Sequence, residues 1–292
     1  MDTQHLTTFV TIAETGSFSE AGAQLHLTQP AISKRVALLE QQLEKKLFDR
    51  LGKHIHLTPA GRALLPHARQ ILQAVTDASR ALIDLDGDVS GPLSIATSHH
   101  IGLHRLPTVL SEFSHKFPQV HLDLHFLDSE KALLAVEQGE FELGVITLDE
   151  QPDKRITEVP VWQDTLEFVC ASKHPLAQRE RLQLKDLCDY QAIAADSNTH
   201  TTRLIQRLFD REELNLDISM VTNHLDTIKM MVTIGLGWGV LPRSLIGSNL
   251  TILHLNLPPI TRRLGAVFHT KRSQSNAARH FLEVLQNPTQ AS

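Results

Sequence analysis

The stretch TQPAISKRVALLEQQL, residues 28–43, carries side chains suited to hydrogen bonding with nucleic acid. Its apolar spacing of four and three predicts a helix with a buried stripe made by Ile32, Val36 and Leu39. Another side then presents Gln29 and Ser33, with Lys34 and Arg35 beside them. Gln and Ser bond base edges and phosphates without the desolvation cost of a full charge, so this side of the helix predicts a contact with DNA.

Four other stretches place Ser, Thr, Asn and His where a predicted strand gives way to a helix. They are IATSHHIGLHRL, HFLDSEKALL, IAADSNTHTTRLI and MVTNHLDTIKMMVTIGLGWGVLP. In open parallel sheets, ligands bind beyond the carboxyl ends of strands, where helix N-termini present free N–H groups and favour anions. One such cluster is an ordinary helix cap, but four in one region predict a shared polar cleft.

Metal and redox chemistry are alternatives with less support. His121, Asp123 and His125 share one face of a predicted strand, but no C-x-x-C or H-E-x-x-H spacing accompanies them. Cys170 lies in an apolar strand and Cys188 in a helical stretch, and neither has an adjacent Lys, Arg or His in the sequence to lower the thiol pKa. We expect no metal site and two unreactive thiols.

Motifs of catalysis are missing from the sequence. There is no G-x-S-x-G, no phosphate-binding loop and no dinucleotide fingerprint. The stretch GLGWGV has G-x-G-x-G spacing between a helix and a strand, which is the wrong context for a dinucleotide site. We therefore predict that the protein is not an enzyme, with no catalytic residues and no cofactor.

Size and composition describe a globular protein of two or three domains. The chain has 292 residues, 41% of them hydrophobic and 21% charged. The net charge is −5, and residues 1–58 hold six basic and six acidic residues, so charge alone indicates no nucleic-acid partner. No apolar run is long enough to span a membrane, and the N-terminus lacks an export pattern. With only two cysteines, these features predict a cytoplasmic protein.

The first 58 residues are predicted to form two short helices joined by a tight turn, then a β-hairpin. SFSEAGAQL begins with Ser17 and Glu20, the S-x-x-E capping box that starts a helix. Thr28 can cap the following helix, and Pro30 is tolerated in its first turn. KHIHL alternates like one arm of a hairpin. Together these elements predict a winged helix-turn-helix; the alternative is a small helical domain with a polar face.

Residues 59–87 form one long helical pattern that begins after Thr58, a good N-cap. Apolar positions follow a heptad spacing through Leu64, Ala68, Ile71, Val75, Ala78, Leu82 and Leu85. This seam predicts a dimer; the alternative is a core helix within one chain. Pro66 should kink the helix. From residue 91 onward, apolar runs alternate with amphipathic helices, which indicates βαβ units around a mostly parallel sheet.

Across residues 6–61 the chain resembles the N-terminal domain of LysR-type transcriptional regulators. The matching features are GSFS followed by small residues, TQPAIS, the LE and LF-R spacing, and LTPAG. The order and length of the remaining chain are also similar to that family. The resemblance implies an α+β multidomain fold: a winged helix-turn-helix over 1–58, a linker helix and hinge over 59–89, and an effector domain over 90–292.

The resemblance also implies the site residues. The DNA-binding set comprises Ser17, Thr28, Gln29, Pro30, Ser33 and Lys34 on the two helices, with Arg50 and Lys53 in the wing. Lys34 stands where Arg is common, which replaces a bidentate fork by a point charge. The effector set, carried over by position, comprises Thr97, Ser98, His99, His100, Ser129, Thr147, Asn198, Thr199, Thr202 and His224.

The implied effector domain is similar to a periplasmic binding protein. Subdomain I covers about 90–161 and 266–292, subdomain II about 162–265, and the crossovers lie near Val159–Trp162 and Arg263–Ala266. The expected ligand is an organic acid or an amino acid derivative. The expected partners are double-stranded DNA with an interrupted palindrome, RNA polymerase, and further copies of the chain. The chain would dimerise through the linker helix and form a tetramer through its effector domains.

Two alternative functions stay open from the sequence. One is a redox- or metal-responsive regulator of the same fold. The other is a solute-binding receptor, against which the N-terminal 90-residue segment and the absence of an export pattern both count.

Overall fold

The computed structural model describes residues 1–51, 54–83, 89–149, 153–179 and 181–287. The chain divides into two compact units, residues 1–88 with 138–140, and residues 89–137 with 141–292. The first unit contains α1 (Thr3–Thr15), α2 (Phe18–Gln24), α3 (Gln29–Leu43), β1 (Phe48–Leu51), β2 (His54–Leu57) and α4 (Pro59–Ile83).

The first unit has a small apolar core to which α1, α2, α3 and α4 all contribute residues. Phe9, Phe18 and Phe48 pack together by tilted and edge-on ring contacts, with centroids 5.4 to 5.8 Å apart. The residues that α3 contributes to this core are Ile32, Val36 and Leu39, all buried. The helical spacing read from the sequence is therefore confirmed, and the opposite side of α3 is left at the surface.

The hairpin after α3 is also present. Strands β1 and β2 pair antiparallel, with Phe48 opposite Leu57 and Arg50 opposite Ile55. Thr58 then begins α4: its hydroxyl accepts from the Gly61 amide at 3.0 Å and donates to the Lys46 carbonyl at 2.6 Å. Helix α4 continues through Pro66 as one element.

The second unit begins with β3 (Gly91–Thr97), α5 (His99–His104), α6 (Leu106–Lys116), β4 (Val120–Phe126), α7 (Ser129–Gln138) and β5 (Leu143–Thr147). The chain continues with β6 (Ile156–Ala171), β7 (Ala192–Ala194), α8 (His200–Arg211), β8 (Ile218–Val221), α9 (Leu225–Thr233) and β9 (Trp238–Pro242). It ends with β10 (Leu250–Ile252), β11 (Ile260–His269) and α10 (Asn276–Gln286). Within the described residues, short 3₁₀ helices cover Pro175–Gln178, Leu184–Asp189 and Arg243–Leu245.

The strands join in the order β4-β3-β5-β11-β6-β9-β7-β8, with β10 beside β6. The β3–β5 and β7–β9 groups are parallel, as predicted for βαβ units. Between them, the whole of β11 pairs antiparallel with the first part of β6. Strand β11 also pairs with β5, and β6 also pairs with β9. The two predicted crossover segments lie opposite each other in this central pair, with Val159 facing Ala266.

The central pair contains one irregularity. Leu264 faces Trp162 and the next residue, Gly265, faces Pro160, so the register shifts by one residue of β6. A Cβ at position 265 would collide with the Val159 carbonyl oxygen, so glycine is needed for this close approach. On each side of the pair, helices cover separate apolar clusters, one around Phe113 and Phe281 and another around Phe209 and Trp238.

Candidate DNA-binding surface and ligand cavity

The turn between α2 and α3 is tight. The Leu27 amide donates to the Gly22 carbonyl at 2.8 Å, and His26 adopts a left-handed φ of 54°. A Cβ on Gly22 would lie 2.8 Å from the Leu27 carbonyl oxygen, so a side chain there would push the two helices apart. The predicted helix-turn-helix is therefore present, held by a glycine at the point of closest approach.

The capping box predicted for α2 is only half formed. The Ser17 hydroxyl accepts from the Glu20 amide at 3.3 Å, as a cap should. The Ser17 amide, however, donates to the Thr15 hydroxyl at 3.4 Å instead of to the Glu20 carboxylate. The prediction of a reciprocal Glu20 contact is wrong because the preceding turn of α1 supplies the acceptor.

The predicted contact residues of α3 lie on its surface side. Thr28, Gln29, Pro30 and Lys34 are exposed, and Ser33 is half-buried. Thr28 is the N-cap residue, yet within the described chain its hydroxyl makes no cap hydrogen bond. Because that prediction of a side-chain cap is not met, the hydroxyl can serve an outside partner. We call the surface formed by Thr28, Gln29, Ser33 and Lys34 the α3 face.

Three other basic residues were predicted near this face, and their surroundings differ. Arg35 donates to the Gln4 side chain at 3.0 Å, which anchors it on α1. Arg50 lies in β1, in the hairpin, and Lys53 falls outside the described residues.

Helix α4 serves two purposes along its length. Ala68 is buried in the core of the first unit, with Leu64 packed against it. The apolar residues further along are exposed: Ile71 by 37%, Val75 by 48% and Leu82 by 69%. Leu85, the last predicted heptad position, lies outside the described residues. The alternative of a core helix therefore holds for the first half of α4, whereas the described second half leaves its apolar residues exposed, and the predicted dimer seam there stays a prediction.

The four polar strand-to-helix junctions of the second unit meet in one cavity of about 70 Å³. Its lining comprises Ser98, His99, His100, Leu127, Asp128, Ser129, Glu130, Thr147, Ala195, Thr199, His200, Thr201, Asn223, Leu225 and Arg262. The beginnings of α5, α7, α8 and α9 all contribute, from both groups of parallel strands. This convergence is expected, because ligand sites in open parallel sheets lie beyond the carboxyl ends of the strands.

Six of the ten predicted effector residues line this cavity, namely Ser98, His99, His100, Ser129, Thr147 and Thr199. Two others turn inward: the Thr97 hydroxyl donates to the Val145 carbonyl at 2.8 Å, and the Thr202 hydroxyl donates to the Ala195 carbonyl at 3.0 Å. Asn198 is exposed outside the lining. His224 is also outside it, with its ring edge-on to His99 at 4.3 Å between centroids.

A buried ionic network beside the cavity was missed from the sequence. Asp164 on β6 faces Arg262 on β11 in the central pair. Its Oδ2 accepts from Arg262 Nη2 at 2.9 Å and lies 3.2 Å from His100 Nε2, while its Oδ1 accepts from Arg105 Nη2 at 2.6 Å. The signal available in the sequence was a pair of opposite charges that flank the two predicted crossovers, Asp164 just after Val159–Trp162 and Arg262 just before Arg263–Ala266.

The network sets the charge states of its members. Burial alone would raise the pKa of Asp164, but the hydrogen bond from His100 and the charge and hydrogen bonds of the two arginines outweigh it, and the pKa lies below its ordinary value. Burial lowers the pKa of His100 by more than its hydrogen bond to Asp164 raises it. At neutral pH the network therefore holds an ionised carboxylate, two guanidinium ions and a neutral imidazole.

Two acidic residues also line the cavity, and both have partners. Glu130, in the first turn of α7, accepts from the His200 amide at the start of α8 at 2.8 Å. Asp128 lies 3.1 Å from Lys131 Nζ. The first N–H group of α8 thus already holds a carboxylate that belongs to the chain itself, which is the favourable arrangement for a negative charge.

The alternatives drawn from Cys and His find no support. Burial raises the pKa of Cys170 to about 11, and burial together with Asp189 raises the pKa of Cys188, so both disfavour the reactive thiolate. Among residues that the structure describes, no group of three His, Cys, Asp or Glu side chains could hold a metal. Of the predicted strand cluster, His125 simply pairs with Asp123 at 3.0 Å.

Two family models match the chain. The model of the bacterial regulatory helix-turn-helix protein of the lysR family matches residues 3–62, and that of the LysR substrate binding domain matches residues 86–289. The chain belongs to the LysR family of transcriptional regulators. It is accordingly a DNA-binding regulator with an effector-binding domain, and not an enzyme.

Relatives and solved structures agree with this assignment. A Probable RuBisCO transcriptional regulator of Trichormus variabilis is 31% identical over 284 residues, covering 94% of this chain and 84% of the relative. Full-length OxyR of Pseudomonas aeruginosa, as a variant, has a TM-score of 0.72 at 20% identity over 100% of both chains. CbnR complexed with its target DNA has a TM-score of 0.67 at 19% identity, covering 98% of this chain and 99% of CbnR.

No helix in the described ranges combines the length and apolar character that a membrane span requires.

Proposed function

We propose that this LysR-family regulator binds a small acid in the cavity of its second unit, and that this binding controls how it engages DNA. The observation that carries the proposal is the meeting of four strand-to-helix junctions, from both groups of parallel strands, in one polar cavity. A ligand there contacts both groups at once, so it favours one spacing between them over another.

The size and chemistry of the cavity bear on the class of ligand. Pockets for drug-sized ligands are typically about 300–1,000 Å³. At about 70 Å³, this cavity suits an organic acid or amino acid derivative of a few carbons. Helix N-termini favour a negative group. Glu130 of α7 is an example from within the chain, because its carboxylate accepts a hydrogen bond from the His200 amide at the start of α8.

The α3 face is proposed to enter the major groove. Gln29 and Ser33 would bond base edges, Lys34 and the Thr28 hydroxyl would meet base or phosphate oxygens, and Arg50 and Lys53 would reach the backbone from the hairpin. The exposed stripe of Ile71, Val75 and Leu82 is proposed to pair with the same stripe of a second chain. A two-fold dimer then reads an interrupted palindrome.

The proposed assembly is a tetramer made from two such dimers through their second units. It would act on DNA in the cytoplasm and contact RNA polymerase there. No cofactor is proposed.

The proposal is tested by thermal unfolding of the full chain against a panel of organic acids and amino acids. An acid at 100 times its dissociation constant adds about 2.7 kcal/mol to the stability of the protein. The acids that stabilise the chain are then added to an operator footprint, where we expect an altered protection pattern. Stabilisation by none of the acids, or an unchanged footprint with a bound acid, contradicts the proposal.

A further inference from the structure

His100 is a buried residue of the cavity lining with one ring nitrogen that has no hydrogen-bond partner in the described part of the chain. It is 6% exposed and lines the cavity. Its Nε2 lies 3.2 Å from Asp164 Oδ2, whereas its Nδ1 is buried and has no hydrogen-bond partner within the described part of the chain. A buried, unsatisfied ring nitrogen on a residue that lines a cavity invites a ligand atom, because buried polar groups are rarely left unpaired.

Asp164 determines which ring nitrogen carries the proton. Its two oxygens already accept hydrogen bonds from Arg105 and Arg262, so the carboxylate is ionised and can only accept. The His100 Nε2 that faces it must therefore be the donor. Burial lowers the pKa of His100, so the ring carries one proton at neutral pH, and that proton is on Nε2.

The free nitrogen is consequently an acceptor. A neutral imidazole with its proton on Nε2 has a lone pair on Nδ1 and no N–H to offer there. The sequence had suggested a histidine that donates to a carboxylate or phosphate of the ligand. The structure uses that donor internally, on Asp164, so a ligand carboxylate placed at Nδ1 would meet a lone pair.

We infer that the ligand of this cavity carries a hydroxyl or amino group beside its acidic group, and that His100 Nδ1 accepts a hydrogen bond from that group. The inference rests on the proposed function and narrows it: small hydroxy acids and amino acids fit the cavity, and unsubstituted acids of the same skeleton leave Nδ1 unpaired. Leaving a buried acceptor unpaired is the strongest means by which a site rejects an analogue that lacks one polar group.

The test uses two sets of acids that differ at one position. Lactate, alanine and propionate share one skeleton, and malate, aspartate and succinate share another. Their dissociation constants are measured by calorimetry on the full-length protein. We expect the hydroxy or amino member of a set to bind at least about tenfold more tightly than the unsubstituted member.

Two variants show whether His100 is the cause. In His100→Phe, the ring keeps a similar shape but has no nitrogen that could accept, while Asp164 keeps its hydrogen bonds from Arg105 and Arg262, so the preference for the substituted acid should disappear. His104→Phe is the matched control on the same helix, because His104 lies outside the cavity lining and pairs with Asp226 at 3.3 Å. It should keep the preference.

The outcomes test the inference and the proposed function separately. Equal binding of substituted and unsubstituted acids by the wild-type protein overturns the inference and leaves the proposed function standing. A preference that survives in His100→Phe also overturns it, because another group must then be the acceptor. Binding of none of the six acids counts against both the proposed function and the inference. The comparison of acids on the wild-type protein tests the inference even if His100→Phe does not fold.

Discussion

The two candidate sites of this protein are built in contrasting ways. The α3 face is a set of exposed side chains on one helix, and its Thr28 and Gln29 are open to solvent. The cavity is assembled from four strand-to-helix junctions and one crossover strand, and several of its lining residues bond each other. A surface of the first kind can change without affecting the fold, whereas a change beside the cavity alters stability and binding together.

The largest effect that this contrast predicts is at Asp164. In Asp164→Ala, the buried Arg262 loses its counter-charge and Arg105 loses its partner, which should cost the second unit roughly 3–5 kcal/mol of unfolding free energy. Urea unfolding followed by tryptophan fluorescence reports this unit, because both tryptophans, Trp162 and Trp238, lie in it. The matched control is Asp226→Ala, which removes an exposed pair and should cost less than about 0.5 kcal/mol. Equal losses in the two variants would show that the network is not a stabilising element.

The exposed stripe of α4 tests whether surface residues can change without affecting the fold of one chain. Ile71→Asp with Val75→Asp adds charge to an apolar stripe that the single chain leaves exposed, so the fold of one chain should hold while dimerisation weakens by roughly 3 kcal/mol or more. Sedimentation velocity and affinity for a two-half-site operator are the measurements. Gln70→Asp with Ala74→Asp, one position away from the seam, is the control. An unchanged sedimentation coefficient would place the dimer contact elsewhere.

Single residues of the α3 face should affect DNA binding alone. Gln29→Ala should weaken specific operator binding by roughly 1–3 kcal/mol with no change in unfolding free energy. The control is Gln41→Ala, an exposed glutamine near the other end of the same helix. Lys53→Ala should weaken binding to all sequences alike and reduce the salt slope by about one. If Gln29→Ala keeps wild-type specificity at fixed salt, the recognition assignment for α3 does not hold.

The dependence of stability on pH tests the cavity region through His100, and this measurement needs no ligand. Because burial lowers the pKa of His100, the folded chain binds its proton less readily than the unfolded chain, whose histidine pKa is 6.5. Stability of the second unit should then fall as pH drops below about 6.5, with a slope of at most about 1.4 kcal/mol per pH unit from this residue. The slope should be shallower in His100→Gln. Equal slopes in the two proteins would mean that His100 does not contribute.

The smallest predicted effect concerns Glu130. In Glu130→Gln, the amide oxygen can still accept from the His200 amide, but the negative charge leaves the start of α8. We expect the unliganded protein to lose about 0.3–1 kcal/mol of stability and a bound acid to gain a similar amount of affinity. Calorimetry with the tightest-binding acid of the panel measures the gain. Weaker acid binding in the variant would mean that Glu130 assists the ligand.

The parts of this structure that follow local rules were predictable from the sequence. The stripe of Ile32, Val36 and Leu39 depends on helical period alone, and the start of α4 at Pro59 depends on one capping residue. The convergence of four junctions followed from the direction of parallel strands. These features need no knowledge of which strand pairs with which.

The parts that depend on pairing over long distances were not predictable. Asp164 and Arg262 are 98 residues apart in sequence and meet only through the register of β6 with β11, which a one-residue shift interrupts at Gly265. The inward turn of Thr97 and Thr202 likewise depends on neighbouring carbonyl groups that the sequence does not reveal. The role of His100 follows from Asp164, so it was hidden for the same reason.

The Glu130 carboxylate at the start of α8 also bears on the concentration at which the regulator can respond. A group tethered to the chain competes with a free acid as if it were present at an effective concentration of millimolar order. A metabolite that uses only this helix terminus must approach that abundance before it displaces Glu130. If the ligand is the small acid proposed above, we expect this contact to set a detection threshold, which would suit the regulator to a plentiful metabolite and not to a trace signal.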